Sequence, residues 1–154
     1  MNASEFQVLT ERCFGFLQAK FGFCVIPSIA SDTSPEPLRN LEVRYENATT
    51  GVHVCFEAYE QLPSVHLQKL TTRESFPFGL LIMLRAPDLN PLASERSLPL
   101  KQPAETLLAR YAELLEMFGR DVLQGDFGVF PSLRDLRAVM QKKRGGGDPS
   151  FVYF

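Results

Sequence analysis

The stretch LEVRYENATTGVHVCFEAYE, residues 41–60, decides the fold. Leu41, Val43 and Tyr45 alternate with Glu42, Arg44 and Glu46. Beyond a polar turn, Val52, Val54, Phe56 and Ala58 alternate with His53, Cys55 and Glu57. A period of two marks a strand with one buried face, and two such runs joined by a short polar segment read as an antiparallel hairpin. Pairing Tyr45 with Val54 and Val43 with Phe56 across an ATTG loop puts both apolar sets on one face. A one-residue slip would drive Arg44 and Glu46 into the core, so the choice of face is strongly specified. The outer face is then expected to carry Glu42 opposite Glu57, Arg44 opposite Cys55 and Glu46 opposite His53. Like charges directly opposite repel, so Arg44 is expected diagonally between Glu42 and Glu57.

Upstream, residues 4–20 form an amphipathic helix pattern, with Phe6, Leu9, Cys13, Phe16 and Leu17 at three- and four-residue intervals. Ser4 is the expected N-cap and Gly22 the stop. Residues 23–29 read as a strand whose Pro27 favours an edge or a bulge, followed by the loop SDTSPEP. Downstream, a turn at Leu62-Pro63-Ser64 is expected to lead into a strand over 65–70, and residues 78–85 into a short helix. A polar, Pro-punctuated connection follows. Pro103 then opens the most regular helix pattern of the chain, which runs to about Gln124 with Leu107, Leu108, Tyr111, Leu114, Leu115, Phe118, Val122 and Leu123 on one stripe. A last helix uses Leu133, Leu136, Val139 and Met140. The order of elements predicts a single α+β domain over residues 1–144. It comprises an N-terminal helix, an antiparallel sheet of about four strands, and two or three C-terminal helices on one face. Residues 145–154, GGGDPSFVYF, read as a flexible Gly-rich tail with an apolar end, suited to adding a strand to a sheet or to fraying.

The segment GRDVLQGDFGVF, residues 119–130, spells an Arg-Asp pair and then Asp-Phe-Gly, two marks of a protein kinase. In a kinase those aspartates lie on separate segments, preceded by a Gly-rich phosphate loop and a strand-borne lysine. Asp121 and Asp126 are too close in sequence for that, and 154 residues cannot hold both kinase lobes. The residues read instead as a helix junction. Gly125 is expected to have positive φ, Asp126 to cap the next turn, and Phe127 and Phe130 to be buried beneath it, with Asp121 in the helix that ends there.

Other chemistries find little support. The net charge of −2 gives no reason to expect nucleic-acid binding. Three widely spaced cysteines, Cys13, Cys24 and Cys55, supply neither a disulfide framework nor zinc-ligand spacing. With no basic n-region and no long apolar run, neither a signal peptide nor a membrane span is expected, which points to a cytoplasmic chain. His53 and His66, the only histidines, are expected to lie apart, with His66 opposite about Ala58; no metal and no cofactor are expected. His53 beside Glu46 suggests a pH-sensitive surface pair. Cys55 near Arg44 and His53 has the ingredients of a thiol nucleophile in an electropositive setting, against the plain reading of a half-buried cysteine. No catalytic set converges.

Two stretches carry a family resemblance. YAELLEMFGRDVLQGDFGVFPSL, residues 111–133, resembles the C-terminal signature of a group of small bacterial α+β proteins. VRYENATTGVHVCFEAY, residues 43–59, resembles their central hairpin. The resemblance spans about half the chain and brings no catalytic residues with it. Domains of this size and class are similar to immunity proteins of bacterial toxin systems, and the helix–sheet–helix order is also similar to type III secretion chaperones. The lack of a convergent catalytic set and the acidic hairpin face point to a non-catalytic binder, in its finer form an immunity-like protein that neutralises a toxin, with Glu42, Arg44, Glu46, His53, Cys55 and Glu57 as the partner-binding face. The alternatives are a homodimeric chaperone of a secreted effector, and a small hydrolase or transferase using Cys55 and His53.

Overall fold

The Asn47 side chain closes the hairpin. Its Oδ1 accepts from the backbone N–H groups of Thr49 (3.0 Å) and Thr50 (2.8 Å), while Asn47 N–H donates to Thr50 O at 3.0 Å. An Asx-type turn of this kind lets a side chain stand in for a backbone partner. A computed structural model describes residues 1–26, 40–59, 61–89 and 103–143. In it β2 (Leu41–Glu46) and β3 (Thr50–Glu57) pair with Glu46 against Gly51, Tyr45 against Val52 and Val43 against Val54. The turn is two residues tighter than the expected ATTG loop. A shift of two leaves every side chain on its predicted face but changes its partner.

Among the described residues the sheet has five strands, one more than the sequence pattern suggested, in sequential antiparallel order. β1 is Cys24–Ile26, β4 is Leu62–Lys69 and β5 is Ser75–Pro77. β4 begins at Leu62 because the preceding turn closes early, with Gln61 N–H donating to Glu57 O and Gln61 at φ 56°. Pro63, read from sequence as a turn residue, lies inside β4 opposite Phe56. β5 pairs only with residues 66–68, so the missing Pro63 donor interrupts no ladder on that side. Pro27 and the loop after it fall outside the described residues, as does the 145–154 tail.

The first helix, α1 (Ala3–Phe21), starts one residue earlier than its pattern suggested, capped by Asn2 rather than Ser4. Asn2 Oδ1 accepts from Glu5 N–H and Glu5 Oε2 from Asn2 N–H, a reciprocal capping box. Gly22 ends the helix in the left-handed region, as expected. A kink at Phe14 turns that ring fully inward beside Phe6, Leu9 and Leu17, leaving Cys13 and Phe16 half-buried. α2 (Phe78–Arg85) is apolar almost all round; Phe78 to Ile82 are buried between the sheet and the C-terminal helices, while Leu84 is exposed.

The expected long helix from Pro103 to Gln124 is two helices. α3 (Ala104–Phe118) is followed at Gly119 by the short α4 (Arg120–Leu123). Arg85 explains the break: Nη1 donates to Phe118 O, and the guanidinium forms a bidentate pair with Asp121 at 2.7 and 2.6 Å. A carbonyl that would have continued the helix is thereby satisfied from outside. Asp121, expected only to help end the helix, is thus tied to α2. Val122 and Leu123 are directed into the core.

α5 (Phe130–Lys143) begins beyond the junction. Gly125 has φ +90°, and Asp126 Oδ1 accepts from Gly128 N–H at 2.9 Å, as the junction reading expected. Phe130 is buried edge-on against Phe76, but Phe127 is only half-buried. Its ring is shared between Phe130 and the Lys69 ammonium, which lies 5.3 Å from its centroid, so one face stays toward water. Of the last helix's expected stripe, Leu133 is buried, Leu136 and Met140 are half-buried, and Val139 is exposed.

The junction sits on the hairpin turn. Asn47 Nδ2 donates to Leu123 O (3.1 Å) and to Phe21 O (3.3 Å), and Thr50 Oγ1 donates to Val122 O at 2.8 Å. A Cβ on Gly125 would come 2.9 Å from Thr49 Oγ1. Asn47→Ala is therefore expected to lower stability by roughly 2–4 kcal/mol, because it strands helix-end carbonyls and turn N–H groups together. Asn47→Asp, which keeps the acceptor and loses the Nδ2 donor, should fall between; urea midpoints check the order. Gly125→Ala should cost about 1–3 kcal/mol from positive φ and the clash with Thr49, read as a fall in thermal midpoint.

Candidate functional site

One face of the sheet is packed with Val43, Tyr45, Val52, Val54, Phe56, Val65, Leu67 and Phe76 against the helices. The period-two alternation therefore sends the polar residues of the same strands to the opposite face. The two-residue tightening of the hairpin resets the neighbours there. Glu42 faces Cys55, Arg44 faces His53, and Glu46 faces Gly51. None of the three cross-strand partners expected from sequence is found, and Glu57 lies against Leu62 of β4 instead of Glu42. Arg44 is held along its own strand, with Nη2 3.1 Å from Glu46 and Nε 3.8 Å from Glu42. His53 pairs with Glu42, Nδ1 to Oε1 at 3.3 Å, rather than with Glu46.

The early start of β4 brings together two residues that sequence reasoning had kept apart. His53 and His66 are direct cross-strand partners. Below them Cys55 faces Ser64, and Ser64 Oγ lies 3.5 Å from His66 Nε2, a long contact. His66, Ser64 and Gln68 thus belong to the polar face and were missed. The loop between β3 and β4 was the available signal: only Ala58 to Gln61 separate Glu57 from Leu62, but Pro63 disguised the strand start.

Burial governs the chemistry of this face. Burial of both rings pushes the His53 and His66 pKa values down, helped at His53 by the facing Arg44 and at His66 by His53. Glu42 and Glu46 act in the opposite direction on His53. The electropositive setting expected for Cys55 is not found. Burial, together with Glu42 and Glu57, pushes its thiol up to about 12, with only a hydrogen bond from Ser64 opposing. At neutral pH Cys55 is a protonated thiol and a poor nucleophile.

Among the described residues, no group of three or more His, Cys, Asp or Glu is disposed to hold a metal ion. Likewise, no helix among them is long and apolar enough to cross a membrane. No protein-family model matches the chain, and no curated protein or solved structure matches it.

Cys24 is exposed on β1, whereas Cys55 is largely buried and protonated. Alkylation of the native chain at neutral pH should therefore modify Cys24 first and leave Cys55 unmodified until the protein is denatured. Peptide mapping of the labelled thiols gives the order.

Proposed function

We propose that the chain is a non-catalytic protein-binding domain that meets its partner through the polar face of the sheet. In its finer form, it acts as an immunity-like protein that neutralises a bacterial toxin. The observation that carries this reading is the row Glu42–Arg44–Glu46 on β2. Two carboxylates flank one guanidinium, leaving the row net negative at neutral pH and each member partly open to solvent. A face of this kind suits a partner surface rich in Lys and Arg, where charge complementarity speeds encounter and selects against acidic partners. The protonated, buried Cys55 thiol supports binding over nucleophilic catalysis.

The double variant Glu42→Lys/Glu46→Lys tests it. Its fold should be retained by circular dichroism, because both side chains are partly exposed. A basic partner captured stoichiometrically by the wild-type chain should bind the variant at least about tenfold more weakly, the loss expected for reversing charges within an interface. Equal binding would remove the polar face from the interface. Turnover of a small molecule by the purified chain, lost in Cys55→Ser, would overturn the non-catalytic reading.

A further inference from the structure

Arg44, His53 and His66 stand in one row across β2, β3 and β4, each the direct cross-strand partner of the next. Directly opposed residues of an antiparallel pair have Cβ atoms about 4.5–5.5 Å apart, so adjacent charges in this row act on one another at short range. The groups facing the row are not evenly placed. Glu42 and Glu46 flank Arg44 on β2, and Glu42 is in contact with His53 Nδ1. On β3, Cys55 and Glu57 follow His53 along the same face. On the other side of His66, β4 offers Leu62, Ser64 and Gln68, and β5 offers Pro77 and Ser75. None of these five is charged. His53 Nε2 and Gln68 Oε1 are both buried on this face, and the Gln68 side chain favours the protonated form of His53.

We propose that this row is a proton-driven switch. A first proton settles on His53 beside the Glu42 carboxylate. A second, on His66, meets no described carboxylate, sets like charges against each other across β3 and β4, and loosens the polar face. Burial lowers the basicity of both rings, and His53 lowers that of His66 further. Strongly interacting sites titrate as a pair in two macroscopic steps. A histidine buried neutral binds fewer protons folded than unfolded. Its stabilising contribution is therefore complete above the ordinary imidazole range and declines as pH falls through that range toward the folded value. As regulation of partner binding, the switch rests on the polar-face reading; as a property of the free chain, it does not.

The test uses the full chain alone. Because the protein has only two histidines, their imidazole Cε1–H NMR signals can be followed from about pH 8 to about pH 4.5 in wild type, His53→Gln and His66→Gln, spanning the imidazole range. Both wild-type signals should titrate below the ordinary value of about 6.5. In His53→Gln, the His66 signal should move back up toward that value. In parallel, the wild-type urea midpoint should fall between neutral and mildly acidic pH, and fall less in His66→Gln. Independent titration of both wild-type rings near the ordinary value, or an unmoved His66 in His53→Gln, would overturn the switch. Should a variant not fold, the wild-type titration alone decides. Coupled titration with partner binding indifferent to Glu42→Lys/Glu46→Lys would keep the switch and discard the polar-face reading. Independent titration with charge-sensitive binding would do the reverse.

Discussion

One side chain ties together three parts of the chain that are distant in sequence. Asn47 accepts two backbone N–H groups inside its own turn and donates to the carbonyls of Phe21, at the end of α1, and Leu123, at the end of α4. Helix ends leave carbonyls without intrahelical partners, and buried carbonyls left unpaired are costly. Asparagine can do this work because its amide is at once donor and acceptor, and it is short enough to serve the turn that carries it. Thr50 adds a third bond, to Val122 O, and Thr49 closes over Gly125. The hairpin turn and the helix junction are therefore two halves of one contact, which gives a physical reason for NATT and DVLQGDF to occur together in one chain.

The same contact reaches the opposite face of the sheet. By tightening the turn it sets the β2–β3 register, and the register sets the neighbours of every polar side chain. Burial is the main reason the Cys55 thiolate and the His53 imidazolium are disfavoured, and the register adds Glu42 opposite Cys55 and Arg44 opposite His53 in the same direction. Arg85 plays a parallel part in the helical layer. It takes up Phe118 O and grips Asp121, where one periodic stripe is interrupted at Gly119 into two helices. Asp121 in turn is held below the usual carboxylate range by that guanidinium. An Arg-Asp-containing motif with a catalytic look is thereby accounted for by architecture.

Much of the fold was legible in residues 41–60 because alternation is a local property. Which side of each strand faces the core follows from a period of two and survives any shift by an even number of residues. The helices were legible for a similar reason, since their stripes repeat within a few turns. Gly22 and Gly125 marked their bends because only glycine takes positive φ without strain. For the polar face, the shared side of its β2 and β3 residues was legible, but their cross-strand partners and the β4 members were not. Glu42, Arg44, Glu46, His53, Cys55 and Glu57 do share a face, yet Glu57 lies against Leu62, and His66, Ser64 and Gln68 complete the set.

The sequence by itself determined the alternation, the buried face, the helix stripes and the glycine stops, all of which depend on residues within a turn or a strand of each other. Tertiary structure alone decided register, the break at Gly119 and the juxtaposition of His53 with His66. Those depend on hydrogen bonds such as Asn47 to Leu123 and Arg85 to Phe118, whose partners lie far along the chain. A loop two residues shorter satisfies the same hydrophobic pattern equally well. The choice falls to whichever turn lets Asn47 meet the helix ends, and nothing local to the hairpin encodes where those ends will be.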